Sequence, residues 1–148
     1  MAINWFPGHM HKAQKEIKEI LPQIDVVIEV CDARLPFSSE NPMITEIRGD
    51  KPLIKILNKS DLADAEKTLT WLEYFESQHN VKAIALTTEN SAASKIIPDL
   101  IKKLVPNKNE EGKQINAVIM GMPNVGKSTL INTLVGKTKA KVGNEPAV

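Results

Sequence analysis

Three observations predict an α/β fold, in which a parallel sheet is covered on both faces by helices to give three layers. Strand-like and helix-like stretches alternate along the chain as βαβαβαβα, the order that builds a parallel sheet through helical crossovers. The strand-like runs Asp25–Cys31, Pro52–Leu57, Val81–Leu86 and Ile115–Met120 are nearly continuous in apolar residues, as expected of strands buried on both faces. The last of them opens directly into Gly121-Met122-Pro123-Asn124-Val125-Gly126-Lys127-Ser128-Thr129, a glycine-bearing strand-to-helix turn.

Taking the elements in order, Trp5-Phe6-Pro7 is an apolar cluster expected to anchor the N-terminus without forming an element. Ala13, Ile17, Ile20, Leu21 and Ile24 recur at helical spacing, with Lys12, Lys15, Glu16, Lys18 and Glu19 on the other faces, so residues 1–24 read as an N-terminal segment with an amphipathic helix that Pro22 ends or kinks. Residues 25–148 read as the main domain. After the first strand, Ser38-Ser39-Glu40-Asn41-Pro42 leads into a short helix over Met43 to Arg48. The second strand ends in the polar turn Asn58-Lys59-Ser60-Asp61. A helix from about Ala63 to Gln78 follows, with Leu69, Leu72 and Phe75 on its inner face and Trp71 and Tyr74 off that line. The third helix, Ala92 to Val105, has Ile96, Ile97, Leu100, Ile101 and Leu104 as its stripe, and a fourth runs from Ser128 to Val135 before Gly136.

Composition bounds the function classes. The 148 residues are 42% hydrophobic and 25% charged, an ordinary balance for a globular domain able to bury a core. A formal net charge of +1 supplies no global field for nucleic acid, so RNA contact requires a local basic patch, and DNA is not expected. The single cysteine, Cys31, excludes an internal disulfide and sits in an apolar run as a small core residue. No apolar run reaches about 18 residues and no signal-peptide pattern is present, so a cytoplasmic location without membrane contact is expected.

The chemistry concentrates in two stretches. Gly121 to Thr129 fits the phosphate-binding loop in full: glycines let backbone N–H groups turn around phosphate oxygens, and the helix N-terminus adds positive charge. Lys127 reaches the β- and γ-phosphates and the Ser128 hydroxyl can ligate Mg²⁺. In a parallel sheet the turns after Cys31, Leu57, Leu86 and Met120 converge on one crevice, which brings Asn58-Lys59-Ser60-Asp61 to the same edge. Guanine presents N1–H and a 2-amino group as neighbouring donors, and one Asp61 carboxylate can accept from both. Adenine offers an acceptor at N1 instead. Such a site can reject the wrong base by about 10⁴. Asn58 can brace the loops and the Lys59 stem can cover the base.

On these residues the chain resembles the GTPases, and the order of motifs, with base specificity before the phosphate loop, resembles the circularly permuted ones. Trp5-Phe6-Pro7-Gly8-His9-Met10, Asp32-Ala33-Arg34-Leu35-Pro36 and Gly121 to Ser128 together narrow the resemblance to the ribosome biogenesis GTPase A family, across essentially the whole chain. The resemblance implies a permuted P-loop GTPase fold and GTP hydrolysis to GDP and phosphate, coupled to late maturation of the large ribosomal subunit and its RNA. It assigns Asn58, Lys59 and Asp61 to the base, with Thr87 and Thr88 beside it. Pro123, Asn124, Val125, Gly126, Lys127, Ser128 and Thr129 fall to the phosphates, and Ser128 to Mg²⁺. It further implies a K⁺ associated with Asn124, and His9 in place of the usual water-orienting glutamine; His11 and His79 carry no such role.

The sequence departs from that family after the phosphate loop. Gly143 to Val148 resembles the approach to the first switch, but the Mg²⁺-binding threonine and an Asp-x-x-Gly motif do not follow. A C-terminal helical RNA-binding domain is not present either, and two strands expected on one side of the sheet are missing. The expectation is an incomplete domain, a fragment of a longer protein, with slow turnover or none. The alternative is a module that binds guanine nucleotide or ribosome without hydrolysis. An ATPase is disfavoured by Asp61.

Overall fold

The structure, a computed structural model, describes residues 3–7, 18–37, 44, 46, 48–87, 89, 92–106, 108, 112–121 and 126–135. Five strands, β1 (Ile3–Pro7), β2 (Val26–Asp32), β3 (Leu53–Asn58), β4 (Val81–Ala85) and β5 (Ile115–Gly121), form one sheet in the order β1-β5-β2-β3-β4. Every neighbouring pair is parallel. Helices α1 (Ala65–Glu76), α2 (Ala93–Leu104) and α3 (Lys127–Val135) complete the described regular elements, with short 3-10 turns at Leu21–Gln23 and Ser60–Leu62.

The alternation of side chains across each strand sorts the core into two layers. Val26, Ile28, Val30, Ile54, Ile56, Ile115, Ala117 and Ile119 face Ala93, Ile97 and Ile101 of α2 and Leu130 and Ile131 of α3. On the opposite face Val27, Cys31, Leu53, Leu57, Val118 and Met120 meet Phe75 of α1. Each fully buried Ile or Leu side chain contributes about 1.5–3 kcal/mol by removal from water. The three-layer arrangement and the buried Cys31 are those the sequence predicts.

Three local expectations change. Ile3–Pro7 is an element after all: it pairs in register with Ile115–Ile119 of β5, at the edge of the sheet beside the phosphate-loop strand. Trp5 and Phe6 point to opposite layers and pack against both, so the pairing buries apolar area on each face. On α1 the inner face is rotated from the predicted stripe: Leu69 is 61% exposed while Thr68 is buried and Trp71 packs on the core. On α2, Ile96 likewise turns outward, leaving Ile97 and Ile101 as the buried pair. Most of the predicted N-terminal amphipathic helix lies outside the described residues; 18–20 are helical and run into the Leu21–Gln23 turn. Of the short helix over Met43 to Arg48, residues 44, 46 and 48 are helical.

Caps fix where α1 begins and ends. Asp64 accepts from the Lys67 N–H at 3.0 Å, and Ser77 Oγ donates to the Tyr74 carbonyl at 2.6 Å. Lys102 and Lys103 occupy the last turn of α2, where cations offset the helix dipole. Glu29 and Lys55, opposite each other on β2 and β3, form a buried ion pair at 2.8 Å, with the Lys55 ammonium 4.6 Å from the Phe75 ring centre. The charge within each apolar run, Glu29 on β2 and Lys55 on β3, is thus satisfied across the ladder.

Candidate nucleotide site

The carboxyl ends of β2, β3, β4 and β5 lie along one edge of the sheet, because all four strands run the same way. That edge gathers the predicted turns. Asn58 ends β3 and is buried, with its backbone carbonyl accepting from the Ala33 N–H at 2.7 Å. Lys59 then takes the left-handed conformation, φ 62° and ψ 34°, which costs a non-glycine residue about 1–2 kcal/mol. Such strain persists where surrounding contacts over-determine it, and it concentrates at functional turns. Here Leu62 N–H donates to the Lys59 carbonyl at 2.9 Å, and Ser60 N–H to the Leu86 carbonyl at 2.9 Å. Asp61 lies in the resulting 3-10 turn, exposed to solvent.

The Ser60–Leu86 bond also fixes the end of β4 against this turn. Leu86 N–H donates back to the Leu57 carbonyl at 2.9 Å, and Thr87 follows, exposed, on the same edge. Thr88 lies outside the described residues.

Gly126, just before α3, meets the turn after β3 through one close approach. Gly126 has φ +86°, a conformation favoured only for glycine, and a β-carbon built there would collide with the Asn58 Nδ2. The Asn58 side chain therefore occupies the space that the missing Cβ leaves. Gly126 also starts α3, its carbonyl accepting from the Leu130 N–H at 3.0 Å. Lys127, in the first turn, is buried, and that burial pushes its ammonium below the ordinary value of 10.5. Ser128 is half-buried and Thr129 exposed. Glycine backbone, helix N-terminus and a lysine whose charged form burial disfavours fit a polyphosphate, whose negative charge would favour that form. His9, Pro123, Asn124 and Val125 lie outside the described residues.

Sequence reasoning left Asp32 without a role, and the structure gives it partners. It sits at the end of β2 in register with Asn58. Its Oδ1 accepts from the Arg34 backbone N–H at 2.9 Å and from Arg34 Nε at 3.0 Å, and its Oδ2 from Arg34 Nη2 at 2.7 Å. The Lys59 ammonium stands 3.8 Å from the same Oδ2. The Arg34 hydrogen bonds hold the Asp32 carboxyl below its ordinary 3.8 against the opposing effect of burial, with the Lys59 charge assisting. The signal was the Asp-x-Arg spacing at a strand end. Beyond it, a cavity of about 350 Å³ is lined by Ala33, Arg34, Pro36, Leu62, Asp64 and Trp71, among others. Among the described residues, no group of three or more His, Cys, Asp or Glu side chains could hold a metal ion.

Comparison with known proteins places this geometry. The family model described as 50S ribosome-binding GTPase matches residues 116–148. Ribosome biogenesis GTPase A of Bacillus cereus is 46% identical over 155 residues, an alignment covering 100% of this chain and 52% of that protein. A crystal structure of GNP-bound YlqF from T. maritima superposes with a TM-score of 0.61 at 33% identity, covering 86% of this chain and 49% of that one. GDP-bound YlqF gives 0.56 at 31%, covering 82% and 48%. The chain spans about half the length of the curated relatives it matches. Its five-stranded parallel sheet is consistent with the α/β P-loop GTPase fold in circularly permuted order. Identity of this extent over the whole chain means that it belongs to the ribosome biogenesis GTPase A family.

Proposed function

We infer that the protein binds guanine nucleotide, hydrolyses GTP to GDP and phosphate, and acts in assembly of the large ribosomal subunit. The observation that carries the reading is the seating of Asn58 against Gly126, which locks the base-specificity turn onto the phosphate loop. Solved neighbours named as GNP-bound and GDP-bound support guanine nucleotide as the ligand. The name of the B. cereus relative and the description of the 50S ribosome-binding model support the ribosomal role.

The residues divide the work by chemistry. Asp61 accepts from the guanine N1–H and 2-amino group, Asn58 braces the two loops, the Lys59 stem covers the base, and Thr87 with Thr88 closes its far side. Backbone N–H groups from Asn124 to Thr129, in the loop that Pro123 opens, surround the phosphates while Lys127 neutralises the β- and γ-oxygens. Ser128 would hold Mg²⁺ through its hydroxyl, and the ion, when bound, would supply positive charge beside the phosphates. Asn124 is assigned to a K⁺ and His9 to orienting the attacking water. Support for His9 comes from β1: it runs parallel to β5 and ends at Pro7, opposite Ile119 and two residues before His9 in sequence, so the chain leaves β1 toward the end of β5 that opens into Gly121. Cytoplasmic RNA of the large subunit is the partner. No helix among the described residues is long and apolar enough to cross a membrane.

Calorimetry of GDP, GTP and ATP binding with Mg²⁺ tests the reading. Guanine nucleotides should bind, ATP should fail to displace them, and Asp61→Ala and Lys127→Ala should each abolish binding. Equal displacement by ATP would overturn the base assignment. On the protein extended to its relatives' full length, phosphate release with and without large subunits tests turnover and partner together.

A further inference from the structure

We propose that Asp32 is a positioning residue of the nucleotide site: its carboxylate, oriented by the Arg34 guanidinium, holds the Lys59 ammonium so that the lysine stem is set over the base. The proposal rests on the guanine-nucleotide reading above and assigns to it a residue from a different turn.

Three contacts carry it. Asp32 and Asn58 are paired at the ends of β2 and β3, and the Ala33 N–H donates to the Asn58 carbonyl at 2.7 Å, so the two turns move as one body. Arg34 engages both carboxylate oxygens, at 3.0 and 2.7 Å, which fixes the plane of the carboxylate. Oδ2, the oxygen shared with Arg34, lies 3.8 Å from Lys59 Nζ. Lys59 itself is in a strained left-handed conformation whose side-chain direction differs from that of an extended residue. A flexible four-carbon stem on such a residue samples many rotamers, and an anion fixed at one point selects among them. The side chain of Asp32 is only 13% exposed and that of Lys59 22%, so solvent screens the attraction less than at an open surface. The line of action is Arg34 to Asp32 to Lys59 to base.

A double-mutant cycle read by GDP affinity tests this on the 148-residue chain. Asp32→Asn should weaken GDP binding about tenfold, Lys59→Met about as much, and the two together no more than the stronger single change, because both remove one device. Arg34→Met should weaken binding about threefold with Lys59 present and leave it unaltered in the Lys59→Met background. Additive losses, or undiminished affinity in Asp32→Asn, overturn the proposal. Circular dichroism melts accompany each variant; if Asp32→Asn does not fold, the Arg34→Met arm decides alone, additivity with Lys59→Met again being the overturning result. Failure of the wild-type chain to bind GDP, or indifference to Lys127→Ala, strikes the nucleotide reading itself and is thereby distinguished.

Discussion

The side chain of Asn58 fills the space where a β-carbon on Gly126 would lie, so the turn after β3 and the residue that leads into α3 interlock through an atom that only glycine omits. Gly126 has φ +86° as well, so Gly126→Ala suffers both backbone strain and a collision with a buried side chain. The expected cost is about 1–3 kcal/mol for the backbone alone, with GDP binding lost. Gly49, at φ +57° with nothing near its absent Cβ, is the control. Gly49→Ala should cost about 1 kcal/mol and leave binding intact. Urea unfolding and calorimetry on the two variants separate strain from interlocking; equal behaviour would refute the interlock.

Lys127 is held at odds with the fold it belongs to. Burial lowers its pKa, so its charged form is penalised in the folded chain below the ordinary value of 10.5, and that penalty lifts as pH rises through the lowered folded value. Lys127→Met should therefore not lower the melting temperature of the nucleotide-free chain at neutral pH, while it removes GDP binding. A melt paired with a binding isotherm checks this. A variant that loses several degrees without ligand would show that Lys127 serves the fold rather than the phosphates.

Asp32 supplies the acid-side dependence. Hydrogen bonds from Arg34 hold its carboxyl below 3.8, so the ionised form is favoured in the folded state. Its contribution to stability is complete above the unfolded value and is lost as pH falls through the lower folded value. The stability difference between wild type and Asp32→Asn should be constant from neutral pH to about pH 5 and shrink below 3.8. Urea midpoints for both proteins across that range give the answer; a gap that widens on acidification contradicts the sign.

How legible this molecule was depends on the range of the signal. Asn58 to Asp61 and Gly121 to Thr129 are local strings, each with its chemistry within a few residues, and the uninterrupted apolar runs around them read directly as buried strands. Ile3–Pro7 hid because its partner, Ile115–Ile119, lies at the other end of the chain, and because a five-residue stretch ending in proline resembles a tether. The face of α1 was misplaced by choosing Leu69 over Trp71. Hydrophobicity ranks both as inner, but only the packing of Phe37, Tyr74 and Phe75 around the Trp71 ring, at centroid distances of 6.2, 5.7 and 5.6 Å, decides which turns inward. The Asp32–Lys59 contact needed the register of β2 on β3, which no single segment contains.

The same register placed a pair that the strands had signalled. Glu29 in residues 26–31 and Lys55 in residues 53–57 are charges of opposite sign within apolar runs, and adjacency of the strands makes them partners at 2.8 Å, almost wholly buried. Desolvating both ions offsets much of their attraction, so the pair specifies register more than it stabilises. Removing one member leaves the other as a buried charge: Lys55→Met should destabilise by about 3–5 kcal/mol, and Glu29→Gln should also destabilise. Replacing both, Glu29→Leu with Lys55→Met, should recover most of that loss, since methionine can keep the contact with Phe75 that Lys55 makes at 4.6 Å. Urea unfolding of Glu29→Leu, Lys55→Met and the double variant that combines them measures the coupling. Losses that simply add would mean that each side chain is held by its other surroundings and that the ladder pairing is incidental.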